Sequence, residues 1–294
     1  EFISGQQIQF VIPVYQRNYD WLIDNCDQLF SDLLKLSRSD RHSHFFGSIV
    51  TSSAGSGFNR FVIDGQQRLT TISLLLIAGI KAVNDGTLEI QNNYRKNEAY
   101  DLFLNAKYCN SERKIKLVPI ENDRIAYDKI FNEEDSLDED SKVTRNYRHF
   151  YDLLTRKPQV LSFDQLLDAI ERLQIISIEL DSDDDAQLIF ESLNSTGLAL
   201  TEADKIRNYL LMSLTPEEQQ VCFKNYWQKI EQATENQPTK FLRDYLTIQR
   251  QLQRPVRQSN IYYEWKRYMD DHDRKDELVK MLDYAHYYQQ VAEA

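Results

Sequence analysis

Cysteine is scarce in this chain. Cys26, Cys109 and Cys222 are scattered, show no CxxC or His-Cys ligand spacing, and as an odd number cannot pair fully within one chain. A disulfide framework is therefore excluded, and a structural zinc or dithiol redox centre lacks its ligands. The three are expected to be reduced core residues. Long apolar runs are missing too. The most apolar stretch, "TISLLLIAGI", is ten residues between polar neighbours, half of the roughly 20 that a membrane-spanning helix needs. No signal peptide, internal repeat or low-complexity linker is visible. These absences make a cytoplasmic, membrane-free protein the expectation. The opening Glu1-Phe2, without methionine, suggests a piece excised from a longer chain.

Positive charge is also in short supply. The net charge is −11, and no broad basic stripe offers duplex DNA a dominant phosphate-backbone contact. The excess acid is local: residues 121–200 hold 19 Asp/Glu against 8 Lys/Arg, while the segments on either side are nearly balanced. Much of it lies in "EEDSLDED" (133–140), expected to be a solvated loop, and in "DSDDD" (181–185).

With 294 residues, 41% of them apolar, the chain can bury a sizeable core in one large domain or two ordinary ones. "IQFVIPVYQ" reads as an extended segment interrupted by Pro13. "WLIDNCDQLFSDLLKL" puts Leu22, Cys26, Leu29, Leu33 and Leu36 at helical spacing. "HFFGSIVTS" and "NRFVID" read as a hairpin around "SAGSG", and "QQRLTTISLLLIAGIKAV" as a helix buried on most of its circumference. Further on, "KIKLVPI" reads as a short strand, "NDRIAYDKIF" and "VTRNYRHFYDLL" as helices, and "SFDQLLDAIERL" as a helix with a Ser162/Gln165 capping box. "QIISIEL" reads as a buried strand; after it come helices, one ending at Gly197 and one capped by Thr201 with Asp204 in its first turn. The aromatic residues of the last third are expected to pack in a core. The expected fold class is α+β: a small α/β unit over residues 1–110, then a mainly helical region over 111–294.

The candidate site lies in "FVIDGQQRLTTI" (61–72). Asp64 and Gly65 stand where a strand ends and a helix begins, at unpaired backbone N–H groups and the positive end of the helix dipole. Gly65 permits close backbone approach, Arg68 supplies a planar donor fork suited to phosphate, and Gln66 and Gln67 add amides. Asp64 is suited to capping the helix or to accepting a magnesium ion that accompanies phosphates. The plainer alternative makes Asp64 an N-cap and turns Gln66, Gln67 and Arg68 to solvent. A second segment, "IPVYQRNYDW" (12–21), again sets a glutamine beside an arginine, Gln16 and Arg17, so that two Gln-Arg pairs could converge on one anion.

"IPVYQRNYDW", "HFFGSIV", "VIDGQQRLTTI" and "IFESLNSTGLALTEADKIRNYLL", in this order, resemble the N-terminal domain of GmrSD-type, modification-dependent restriction enzymes, whose fold is similar to the ParB and sulfiredoxin nucleotide-binding fold. The resemblance covers roughly residues 3–215. It implies a nucleoside triphosphatase that gates a nuclease acting on modified or phage DNA, with Mg2+ as cofactor. The implied catalytic residues are Asp64, Gln66, Gln67 and Arg68, with Asp64 on the metal and a glutamine, Gln67 before Gln66, orienting water. The implied nucleotide-binding residues are Gln16, Arg17, Gly65, Arg68, Asn194 and Arg207; Arg207 stands where lysine is commoner in the family. The downstream motif also carries Gly197, Asp204 and Asn208.

The HNH-type nuclease domain that often ends such enzymes needs grouped histidines, and His42, His44, His149, His272 and His286 form no such group. The nuclease is thus expected in a removed domain or on a partner chain. The phosphate motif contains no cysteine, against sulfiredoxin-like reductase chemistry. A rival reading is a nucleotide or modified-DNA sensor without hydrolysis. A helix-turn-helix in "FESLNSTGLALTEADKIRNYLL" is a third, opposed by its long loop and by Glu202 and Asp204 at the end that would approach bases.

Overall fold

The computed structural model describes residues 2–39, 42–53, 58–109, 111–112, 114–181, 184, 186–193 and 200–292. The chain divides into two compact units, Glu1–Pro13 with Asn18–Asp184, and Val14–Arg17 with Asp185–Ala294. The first is built on β1 (Gln9–Val11), β2 (His44–Ser52), β3 (Asn59–Asp64), β4 (Leu117–Val118) and β5 (Leu173–Leu180). They form one mixed sheet in the order β4-β1-β3-β2-β5. β2 and β3 are the antiparallel hairpin expected from their β-branched and aromatic content, β1 runs parallel to β3 and β4, and β5 runs parallel to β2.

The helices of this unit are α1 (Ile23–Ser37), α2 (Gln66–Asn84), α3 (Asn93–Ala99), α4 (Glu121–Phe131), α5 (Lys142–Thr155) and α6 (Phe163–Glu171). α1 buries Cys26, Leu29, Phe30, Leu33 and Leu36, the i, i+3, i+4 stripe of an amphipathic helix. Leu22, expected on that stripe, is instead the residue before the helix and is exposed. α2 is buried nearly all round: Leu74, Leu75, Leu76, Ala78 and Ala82 share one core with residues of α1, α4, α5 and α6. Each such leucine contributes about 2 kcal/mol by leaving water. The Ser162/Gln165 capping box starts α6 as expected.

Two expectations need correction. β5 is an edge strand rather than a buried one: β2 pairs with one side of it, and Gln174, Ile176, Ser177 and Glu179 are exposed. Residues 111–184, placed with the helical region by sequence, belong to the first unit, because β4 and β5 lie in its sheet and α4, α5 and α6 complete the core around α2.

The second unit consists of α7 (Ala186–Leu193), α8 (Glu202–Leu211), α9 (Pro216–Cys222), α10 (Gln228–Ala233), α11 (Pro238–Gln249), α12 (Ile261–Met269) and α13 (Arg274–Ala292). Capping boxes Thr201/Asp204 and Thr215/Glu218 open α8 and α9. Trp227, Tyr245 and Trp265 are the large members of its core, as expected for the aromatic third, while Tyr263 and Tyr287 are exposed. All three cysteines are free and buried. Among the described residues no helix is long and apolar enough to cross a membrane. Gly197 lies outside them.

Candidate functional site

β3 ends at Asp64 and α2 begins at Gln66, with Gly65 between them at φ 93° and ψ 6°. The helix cap is therefore Gly65, not Asp64, and no side chain caps the first turn. Two facts require glycine here. The backbone is left-handed, and a Cβ would stand 2.9 Å from Ile49 Cγ1 and 3.1 Å from the Ser48 carbonyl oxygen. Gly65→Ala is expected to cost about 2–4 kcal/mol, combining the left-handed penalty with local overpacking. Urea unfolding followed by tryptophan fluorescence measures it, and a loss under about 1 kcal/mol would show that the turn can rearrange.

The two glutamines are buried, each 8% exposed, so the solvent-facing alternative does not hold for them. Gln67 Oε1 accepts from the backbone N–H groups of Asp20 at 2.8 Å and Trp21 at 3.3 Å, and its Nε2 donates to the Asn18 carbonyl at 3.1 Å. Its amide is thus engaged in holding the Asn18–Trp21 backbone. The Gln66 carbonyl accepts from Thr70 Oγ1.

Tyr19 extends the clamp: its hydroxyl pairs with Thr71 Oγ1 at 2.8 Å and accepts from Asn146 Nδ2, while its N–H donates to Asp123 Oδ2 at 2.6 Å. Burial pushes the Asp123 carboxyl up to about 6, against the lowering effect of that backbone bond. An acid whose folded pKa lies above its unfolded value binds its proton more tightly when folded. Its penalty is therefore absent below about pH 4, grows through the window from 3.8 to about 6, and is complete above it. Asp123→Asn keeps an acceptor for Tyr19 and removes that penalty. The variant should match the wild type near pH 4 and exceed it by up to about 2–3 kcal/mol at pH 8. Thermal melting of both proteins across that range is the check; parallel curves would mean that Asp123 stays at its ordinary acidity.

Arg68 occupies an unusual place. Its guanidinium lies over Gly47, whose φ is 123° and where a Cβ would come within 2.8 Å of Arg68 Nε. The register of β2 against β5 shifts at this glycine, between Phe45 and Gly47, which marks a β-bulge. Nη2 meets Asp64 Oδ2 at 3.5 Å, both side chains being about one-fifth exposed. Nε is shielded from solvent, and no oxygen among the described residues accepts its N–H. An orphaned buried donor on a charged group calls for a ligand or a bound water. Arg68 also borders a cavity of about 670 Å³ with apolar walls that include Phe46, Ile49, Phe103 and Ile175. Gly47 was missed as a site residue by sequence, although a glycine inside the β-rich "HFFGSIV" is the signal of a bulge or close approach.

The other expected nucleotide ligands lie in the second unit. Gln16 is buried and Arg17 half-buried. Arg207, 7% exposed, gives Nε to the Tyr15 carbonyl at 2.7 Å, Nη2 to Asp204 at 2.8 Å and Nη1 to Glu231 at 3.1 Å. Glu231 also accepts from Trp227 Nε1 at 2.7 Å. Arg207 accordingly ties down the turn that carries Gln16 and Arg17. Glu202 accepts from the Tyr262 N–H at the start of α12, so the acids that begin α8 serve its packing. Asn194 lies outside the described residues. Among those residues no three His, Cys, Asp or Glu side chains form a group able to hold a metal.

A five-stranded mixed sheet with its helices, followed by a helical region, defines an α+β protein. Residues 1–211 match the family of GmrSD restriction endonuclease N-terminal domains, and the chain belongs to that family. It is thereby a component of a restriction, that is defence, system. No curated protein sequence matches it.

Proposed function

We propose that the Gly65–Arg68 turn binds the phosphates of a nucleoside triphosphate and that the domain hydrolyses it, gating a nuclease on another domain or a partner chain that acts on modified or phage DNA. The observation that carries this reading is the Arg68 guanidinium, held at the start of α2 with its buried Nε–H lacking an acceptor. Phosphate oxygens would satisfy that donor and sit at the positive end of a 19-residue helix. The catalytic contribution is electrostatic: Arg68 meets the charge that develops on the transferred phosphoryl group. Magnesium, when bound, neutralises phosphate charge. Asp64, a single half-buried carboxylate at the turn, suits an ion that keeps phosphate and water ligands. Gln67, whose amide holds backbone, is not available to orient the attacking water.

One observation favours the sensor reading as the second choice. With Gln67 engaged in the fold, the turn retains a phosphate grip but one fewer group for activating water. A nucleotide would then stabilise one conformation without being consumed. Hydrolysis of the four common triphosphates with magnesium, measured beside thermal stabilisation by each, separates the two. Turnover supports the enzyme, stabilisation without turnover supports the sensor, and neither removes the phosphate site.

A further inference from the structure

We infer that β5 is a docking edge: it takes up an extended segment of a partner protein as a further strand of the sheet, and that segment carries basic residues at the end that meets Asp181 and Asp184. The inference concerns the first unit alone and stands whether or not the Gly65–Arg68 turn holds phosphate.

The two edges of the sheet are handled differently. β4, at one edge, is two residues long and presents little backbone to another chain. β5, at the other, is eight residues long. Exposed edges are commonly guarded by lysine or proline, and "LQIISIEL" contains neither. Its one charged side chain, Glu179, turns back across the sheet to Arg60 Nε of β3 at 3.0 Å. The ladder to β2 is regular from Ile175 to Leu180, so alternate residues turn their N–H and C=O groups away from β2. Among the described residues, no backbone group other than those of β2 bonds to the backbone of Leu173–Leu180. Apolar surface accompanies these free groups. Phe45 stands opposite Gln174 and Ser48 opposite Ile176, which puts Phe45 and Ile176 on one face, 59% and 54% exposed. A side chain of an added strand on that face would cover Ile176.

Charge selects the occupant. The uncharged run Leu173–Ile178 leads into "DSDDD" (181–185), four acids without a base. Asp181 and Asp184 are exposed, and Asp184 Oδ2 accepts from the Asp181 N–H at 2.8 Å, which holds both at the end of the strand. A partner strand in the more stable antiparallel sense therefore starts with its basic residues beside these carboxylates and continues with uncharged, β-branched residues along β5. A second copy of this chain fits less well. Two-fold antiparallel pairing about Ile176 would bring Glu171 of each copy beside Asp181 of the other, between chains that each carry a net charge of −11.

The probe is a fluorescein-labelled peptide of two lysines followed by three Val-Thr pairs, and its anisotropy with the full chain is the readout. The wild type should bind it at least about tenfold more tightly than the same peptide N-methylated along its Val-Thr residues, which lacks the ladder donors. It should also prefer it by at least about threefold over a peptide with glutamates in place of the lysines. Ile176→Lys, which supplies the missing guard at an exposed position, should lose about tenfold or more, while Ile176→Thr should stay within about threefold because the ladder carries the affinity. Asp181→Asn combined with Asp184→Asn keeps the acceptor of the turn and should weaken binding about three- to tenfold, with a smaller dependence on salt.

No binding of any peptide, equal binding of the N-methylated one, or undiminished binding by a folded Ile176→Lys would each overturn the docking edge. The peptide comparisons decide the matter on the wild type even if a variant misfolds. Equal binding of the glutamate peptide would overturn the basic end of the partner. A wild-type dimer in sedimentation equilibrium that Ile176→Lys renders monomeric would give the edge to a second copy and overturn the foreign strand.

Discussion

Arg68→Ala is expected to lower nucleotide turnover by a factor of about 100–1,000, the usual cost of deleting a group that meets developing charge, while leaving the melting temperature within a few degrees of the wild type. The second half follows from what the side chain touches. Its contact with Asp64 is long and partly exposed, an ion pair worth about 0–1 kcal/mol. Its Nε–H is buried without an acceptor, so that removing it relieves a desolvation cost of about 1–3 kcal/mol. Lost packing of the aliphatic stem over Gly47 offsets part of that gain. A residue that costs stability where it stands is what the proposed phosphate role expects of Arg68. Hydrolysis assays paired with thermal melts test both halves. Unchanged turnover in the folded variant would leave the turn as a structural junction. A melting temperature lowered by ten degrees or more would make Arg68 a framework residue instead.

Arg207→Ala is expected to do the reverse: a large loss of stability, about 3–5 kcal/mol, as found when one partner of a buried ion pair is removed. Asp204 and Glu231 would lose their cation, and the Tyr15 carbonyl would lose the 2.7 Å bond that ties its segment to α8. Asn208, with its amide turned to donate, also reaches Tyr15 O at 2.5 Å and would remain to hold it. Arg207→Lys should recover only part of the loss, because one ammonium cannot address three diverging oxygens in the plane of a guanidinium. Trp227, whose indole shares Glu231, is a built-in reporter of this region in chemical denaturation. A loss below about 1 kcal/mol would show that the core does not depend on Arg207 and would favour its nucleotide-binding role.

These two arginines show where sequence reading stops. Arg68 lies in the first turn of α2 and Arg207 midway along α8, both in polar motifs, and both invite the same reading as phosphate ligands. One proves to have a vacant donor and the other three protein acceptors. Gln66 and Gln67 were equally indistinguishable: the partners of Gln67 are backbone groups of Asn18, Asp20 and Trp21, nearly fifty residues away. The "NYDW" portion of the second motif gains its reason from these contacts and from Asp123 and Asn146, more than a hundred residues downstream. β5 failed differently. Its apolar content was read correctly as strand, but whether a second strand covers its outer side depends on sheet order, which short-range pattern does not encode.

By itself the sequence determined the local events. Strand, glycine turn and helix at Asp64–Gln66, the capping boxes at Ser162, Thr201 and Thr215, and the amphipathic stripe of α1 all follow from bonds and packing faces within a few residues. It also carried the motifs that place the chain among GmrSD restriction endonuclease N-terminal domains. Tertiary structure alone decided that residues 111–184 finish the first unit, that Gly47 makes room for a guanidinium, and that a cavity opens beside it. The reason is that a hydrogen-bond vacancy and a cavity are properties of several distant segments at once, and no one of them contains the information alone.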